Sequence, residues 1–220
     1  PNALFGDRTG ILLGDLAFTQ GMAEAATVSA EAVRTLVEAV QEMTVGELQE
    51  EFLKGSLNVS AEGYYGVAAR KTSALFEWAG RALSAESPLK HRREDPPRLG
   101  VAAGILLQVV DDIHDFTLTE AVAGKAPGQD LHNGRLTLPG ILAMDDEASR
   151  PRWLELWGKR DPEALGEALT LFRERGHLEA ARGEARRIME AMLPWVDGLP
   201  VKAPAAQLRG FMTLMFEREF

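Results

Sequence analysis

Cysteine is absent from the 220 residues. Disulfides, thiolate chemistry and cysteine metal sites are therefore excluded, which fits a reducing, cytoplasmic setting. No apolar run reaches the roughly 18 residues that a spanning helix requires, and no signal peptide is visible. Basic residues are in deficit: 24 Lys and Arg stand against 33 Asp and Glu, for a formal net charge of −9. With no basic stripe, a broad electrostatic nucleic-acid footprint is not expected. Strand signals are scarce, because no long alternation of β-branched residues occurs. Neither a P-loop nor an HExxH zinc motif is present, and His91, His114, His132 and His177 have no metal-ligand spacing.

What is abundant is Ala, Leu and Glu, all good helix formers. Residues 8–27 are expected to form a first helix despite Gly10, Gly14 and Gly21, read as room for close packing. A second helix is expected over 29–43 and a short third over 44–53, because Thr44 and Glu47 have capping-box spacing. Ser60 with Gly63 opens a region that stays helical to about residue 85. Residues 87–98, SPLKHRREDPPR, read as an exposed loop broken by Pro88, Pro96 and Pro97. Its Lys90, Arg92 and Arg93 form a small solvated basic patch. A long apolar helix is expected over about 98–118, then a polar, Gly-rich segment over 122–136. Thr137 has the character of a cap, with Pro139 tolerated in the early turns that follow. Further helices are expected near 149–157, 161–171, 176–193 and 203–218, with Asp161 and Pro162 as N-cap and first residue of the second. Trp153 with Trp157, and Met189 with Met192, read as core or contact residues. No internal repeat or strong linker divides the chain, so the expected fold class is all-α, with residues 1–220 in one domain.

QVVDDIHDF, residues 108–116, spends three carboxylates in five positions. On a continuous helix Gln108, Asp111, Asp112 and Asp115 fall along one stripe. Like charges crowd there, and the C-terminal half of a helix does not favour anions. A positive partner is expected to face them. Mg²⁺ is the natural one, a hard cation that prefers carboxylate oxygen and bridges to phosphate. At this point a plain Asp-rich surface remains the alternative. His114, inside the run, reads as an incidental neighbour.

GKAPGQDLHNGRLTLP, residues 124–139, adds Lys125, Asp130 and Arg135, with Gly124, Gly128 and Gly134 allowing the backbone to bend close to a ligand. Lys125 and Arg135 have the charge to neutralise phosphate oxygens, although an ordinary charged surface loop has the same composition. ARKTSALF, residues 69–76, places Lys71 and Thr72 in a largely apolar helix. That lysine is either snorkelling at a helix edge or a further diphosphate contact.

Together these segments resemble the trans-isoprenyl diphosphate synthases, the polyprenyl synthetase family. LLQVVDDIHD is similar to the family's second Asp-rich motif, FQxxDDxxD, with Leu107 where an aromatic is usual. The family's GKxxGxDLxxGKxTLP is matched at Gly124, Lys125, Gly128, Asp130, Leu131, Gly134, Thr137, Leu138 and Pro139, with Arg135 in place of lysine. Lys71 and Thr72 match its Lys-Thr pair. NALFGDRTGILLGDLAF, including Gly14 and Asp15, resembles the stretch just downstream of the first Asp-rich motif. The likeness covers nearly the whole chain and weakens after about residue 145. The first Asp-rich motif, its Arg-Arg pair and the N-terminal region that helps bind isopentenyl diphosphate have no counterpart. DDEAS at 145–149 does not replace them. The expectation is an isoprenoid synthase-type helical bundle, N-terminally incomplete, and a fragment of an ordinary enzyme. One chain of a split enzyme, or a shortened non-catalytic homologue, are the alternatives.

The resemblance implies a prenyltransferase that joins an allylic prenyl diphosphate to isopentenyl diphosphate and releases diphosphate. It implies Mg²⁺ held by Asp111, Asp112 and Asp115, and diphosphate bound by Lys71, Lys125 and Arg135. Thr72 and Gln108 would orient the diphosphate, which makes Lys71, Thr72, Gln108 and Asp111 the catalytic set, while Asp130 organises the loop. It also implies a homodimer, with the apolar first helices as a candidate interface, or a heteromer whose partner supplies the missing motif. A helper subunit of such a heteromer is the alternative function. A terpene cyclase is disfavoured by the 124–139 segment. Product length is not legible, because the residues that set it in the family precede its first Asp motif. The apolar sides of 11–18 and 73–79 read as tunnel wall or as simple core and dimer contacts.

Overall fold

A computed structural model describes residues 5–86, 94–117, 127–198 and 202–216. Every regular element among them is helical. Helix α1 (Asp7–Val28) and α2 (Ala30–Leu53) meet at Ser29, whose extended backbone breaks the helix and whose hydroxyl caps α2 by accepting from Ala32 N at 3.0 Å. Helix α3 (Ala61–Ala68) starts at Ser60, which accepts from Gly63 N. It widens into a π turn over Ala69–Ser73 and continues as α4 (Ala74–Glu86). Then come α5 (Asp95–Thr117), α6 (Gln129–His132), α7 (Leu138–Asp145), α8 (Arg150–Lys159), α9 (Pro162–Glu174), α10 (His177–Asp197) and α11 (Lys202–Phe216).

The core is built on α5, which packs against α4, α10 and the π turn. Leu106, Val109, Val110, Ile113 and Phe116 are all buried on it. Phe116 meets Phe172 edge-on at 5.1 Å between ring centroids, and Phe172 meets Trp153 at 4.9 Å. Trp153 and Trp157 are core residues, as their spacing implied, and Met192 is buried with them. Burying such rings contributes about 2–3 kcal/mol each before entropy is counted.

Glycines set how closely three elements approach. A Cβ on Gly104 of α5 would lie 2.5 Å from Ser73 Cα, and one on Gly46 of α2 only 2.4 Å from Lys71 N. Those two contacts draw α2, the π turn and α5 together, and the chemistry-bearing side chains project where they meet.

Several local expectations are overturned. Residues 29–43 and 44–53 are one helix, because Thr44 spends its hydroxyl on Val40 O at 2.9 Å instead of capping. The long helix begins at Asp95, not 98: Pro96 and Pro97 occupy the first turn, where a missing N–H breaks no helical bond. The 60–85 helix is interrupted by the π turn. Thr137 is the residue before α7, but its side chain makes no capping bond. Gly14 and Gly21 have no neighbour within 4 Å of a built Cβ, and α1 exposes Ile11, Leu12 and Leu16. The close packing expected of those glycines is not found among the described residues. Ser60 and Asp161 do cap, the latter accepting from Ala164 N at 2.8 Å. Gly124, Lys125 and the 90–93 basic patch lie outside the described residues.

Candidate functional site

A cleft of about 280 Å³ opens between α2, α3, the π turn, α5 and the 130–137 segment. Its walls carry Lys71, Gln108, Asp111, Asp112, Asp130 and Arg135, with Leu53, Val59, Val67 and Leu136 as apolar lining. Most of the residues singled out from sequence therefore share one cavity.

The three aspartates of α5 do not act alike. Asp111 is exposed at the cleft. Asp112 is buried, and its carboxylate accepts from Tyr64 Oη at 2.6 Å and from Gln108 Nε2 at 2.8 Å. Asp115 is buried and turned to the connection that follows α5, accepting from Asp130 N at 2.9 Å. The same connection is pinned by Gly128 N, which donates to Asp115 O at 2.7 Å while Gly128 holds φ +72°. A side chain at Gly128 would also strike Leu165, whose Cδ1 lies 2.2 Å from the built Cβ. Asp111 and Asp112 thus line the same cleft, while Asp115 is turned to the connection. Among the described residues no group of three or more His, Cys, Asp or Glu converges to hold a metal ion.

Burial raises the pKa of Asp112 well above the usual carboxylate range, helped by the nearby charge of Asp130, and the bonds from Tyr64 and Gln108 only partly offset this. Burial and the Asp112 charge likewise hold the proton on Tyr64. Thr72 Oγ1 donates to Gln108 Oε1 at 2.8 Å, so a chain of hydrogen bonds runs from Thr72 through Gln108 to Asp112 and Tyr64.

The cations are paired with residues that sequence reasoning did not single out as site residues. Lys71 Nζ lies 2.7 Å from Glu50 Oε2 and 3.1 Å from Glu47 Oε2. Burial pulls the Lys71 pKa down, but bonds to Glu50 and Glu47 outweigh it and hold the ammonium charged. Arg135 Nε is 3.1 Å from the same Glu50 oxygen, and the guanidinium reaches Glu47 at 3.8 Å and Asp130 at 4.0 Å. Lys71 is therefore not a snorkelling lysine. Tyr64 was also missed. Its signal was a tyrosine on an apolar helix face, which when buried requires a partner for its hydroxyl.

The described residues form a helical bundle whose cleft sets carboxylates against a lysine and an arginine. The family model for polyprenyl synthetase matches residues 1–173, and the chain belongs to that family. Nonaprenyl diphosphate synthase of Mycobacterium tuberculosis is 33% identical over 211 residues, covering 90% of this chain and 62% of that protein. Solanesyl diphosphate synthase 2 of Arabidopsis thaliana is 27% identical over 219 residues, covering 98% and 52%. The chain spans between about half and two thirds of these relatives' length. A decaprenyl diphosphate synthase structure from Rhodobacter capsulatus has a TM-score of 0.82 at 27% identity, over 99% of this chain and 69% of that one. A Caulobacter crescentus polyprenyl synthase, solved with calcium and isoprenyl diphosphate, has a TM-score of 0.87 at 23% identity, over 100% and 69%, and shares the fold.

Proposed function

We propose that this chain serves the condensation of an allylic prenyl diphosphate with isopentenyl diphosphate. The carrying observation is the shared cleft, in which Asp111 and Asp112 stand near Lys71 and Arg135 beside apolar walls. Lys71 and Arg135 bind diphosphate oxygens, and Thr72 and Gln108 orient the group through their mutual hydrogen bond. Lys125 follows by family likeness as a third diphosphate contact. The allylic carbon–oxygen bond breaks and its electron pair leaves with diphosphate. The alkene of isopentenyl diphosphate then bonds to the allylic carbon, and a proton passes to the released diphosphate to restore a double bond. Leu53, Val59, Val67 and Leu136 keep water from the cation.

The donors suit a hard divalent ion. Asp112 is a carboxyl whose ionised form is disfavoured by burial and by neighbouring negative charge, so an added cation would stabilise it. Asp111 and Asp112 would hold Mg²⁺, which supplies charge to the departing diphosphate. Asp115, turned to Asp130 N, would serve mainly by fixing the loop unless that bond is exchanged.

The exposed apolar side of α1, with Ile11, Leu12 and Leu16, supports a homodimer. No helix among the described residues is long and apolar enough to cross a membrane.

The test is condensation of geranyl or farnesyl diphosphate with labelled isopentenyl diphosphate, with and without Mg²⁺. Mg²⁺-dependent product, lost in Asp111→Ala, is expected. Asp111→Ala behaving like wild type sinks the site assignment. A chain inactive alone that still binds pyrophosphate only with Mg²⁺ and only with Asp111 intact points to the helper-subunit reading.

A further inference from the structure

The two cations of the cleft do not wait with open hands. One oxygen of Glu50 is shared by Lys71 Nζ at 2.7 Å and Arg135 Nε at 3.1 Å. The Glu50 side chain is only 19% exposed, against 53% for Glu47, so it sits within the cleft while Glu47 stands at its edge. Glu50 reaches this position from the last turn of α2, fixed by the contact of Gly46 with Lys71 and by Gly55 N, which donates to Gly134 O at 2.7 Å. Lys71 donates a hydrogen bond to this carboxylate, while Arg135 faces it at ion-pair distance with its buried Nε making no hydrogen bond; a phosphate oxygen between the same two cations would meet the same positive charge.

We infer that Glu50 is an intramolecular stand-in for the diphosphate: its carboxylate fills the Lys71–Arg135 clamp and is displaced when diphosphate binds. This deepens the proposed function and rests on its assignment of Lys71 and Arg135. Competition of this kind divides the observed affinity by the fraction of molecules in which the clamp is open. It also keeps two half-buried cations neutralised between turnovers and screens the clamp against weak anions. A diphosphate, with more charge than a single carboxylate, has the means to displace it; a monophosphate has less.

The inference is tested by calorimetric titration of inorganic pyrophosphate into the intact chain, with and without Mg²⁺, for wild type, Glu50→Gln, Glu47→Gln and Lys71→Gln. Glu50→Gln keeps size and hydrogen bonding but removes the charge, and is expected to bind pyrophosphate about fivefold tighter or more. The exposed Glu47→Gln should change binding less, and Lys71→Gln should weaken it. A merely structural Glu50 would give weaker binding on substitution, so the direction of the change separates the two roles. Should Glu50→Gln not fold, Glu50→Asp carries the same test, because its shorter carboxylate draws back from both cations. Unchanged or weaker binding in the Glu50 variant, with Lys71→Gln still impaired, overturns the stand-in role alone. Pyrophosphate binding absent from wild type and Glu50→Gln, or indifferent to Lys71→Gln, overturns it together with the site assignment.

Discussion

Tyr64 donates its phenolic proton to Asp112 across 2.6 Å, joining α3 to α5 in the wall of the cleft. A buried carboxyl with so few donors depends on each of them. Tyr64→Phe is expected to lower unfolding free energy by about 1–3 kcal/mol in urea titrations. Tyr65→Phe is the comparison, because that hydroxyl reaches Glu184 at a long 3.4 Å; it should change stability by no more than about 0.5 kcal/mol. Equal effects would mean that the Asp112 contact is not special.

Gly104→Ala should cost about 1–3 kcal/mol, since its methyl group must push Ser73 away from α5. The displacement also separates Thr72 from Gln108, so pyrophosphate affinity should fall with stability. Gly46→Ala should act similarly through Lys71. Gly14→Ala on α1 meets nothing within 4 Å and should stabilise an isolated chain by about 0.5–1 kcal/mol. Chemical denaturation of the three variants ranks these outcomes directly.

Leu16→Glu places a charge on the exposed side of α1, where Leu16 is 65% accessible. If two copies meet there, sedimentation velocity should show wild-type dimer and variant monomer. A wild-type monomer at micromolar concentration removes α1 as a self-association surface.

Acid sensitivity should concentrate at the α7–α8 junction. The Ser149 hydroxyl donates to Asp146 and, with the Ala148 amide and Arg175, holds its pKa at about 2. A depressed carboxyl contributes stability above its unfolded value of 3.8 that is lost as pH falls towards about 2. Burial lowers the pKa of His177, against the pull of Asp146. A histidine held neutral by folding destabilises the native state as pH falls below the ordinary value of 6.5. Stability should therefore drop between pH 7 and 5, and His177→Gln should flatten that part of the profile. An unaltered slope in the variant would assign the drop to other groups.

Much of the site could be read from local sequence because its residues lie in compact runs. Gln108, Asp111 and Asp112 follow from helical periodicity, and Arg135 from its glycine-flanked segment. Partners across the fold could not. Glu50 meets Lys71 only because two helices cross at Gly46, and Tyr64 meets Asp112 at a separation of 48 positions in sequence. The Thr44–Glu47 spacing looked like a helix start because a capping box and a helix interior share the same residues. Tertiary contact at Gly46 decides between them. Pro96 and Pro97 misled in the opposite sense: proline reads as a breaker, yet it is harmless in a first turn. Asp115 fits a three-carboxylate stripe by spacing, but the Gly128 turn brings a backbone amide to it first.

The π turn makes a single rod keep two rotational phases. Tyr64 and Ala68 are buried four residues apart, the next inward side chain is Ser73, five further on, and Gly80 and Ser84 continue the new phase. A uniform α-helix would bring Thr72 to the place of Ser73 against α5, and would turn Lys71 with it. The extra residue acts like a slipped tooth in a gear. It lets the hydrophobic seam continue unbroken while Lys71 is turned out to the cleft and Thr72 to Gln108. Deleting one residue between Ala69 and Ser73 would leave the composition of the helix almost unchanged. It would still force a choice between a sealed seam and an outward-facing lysine.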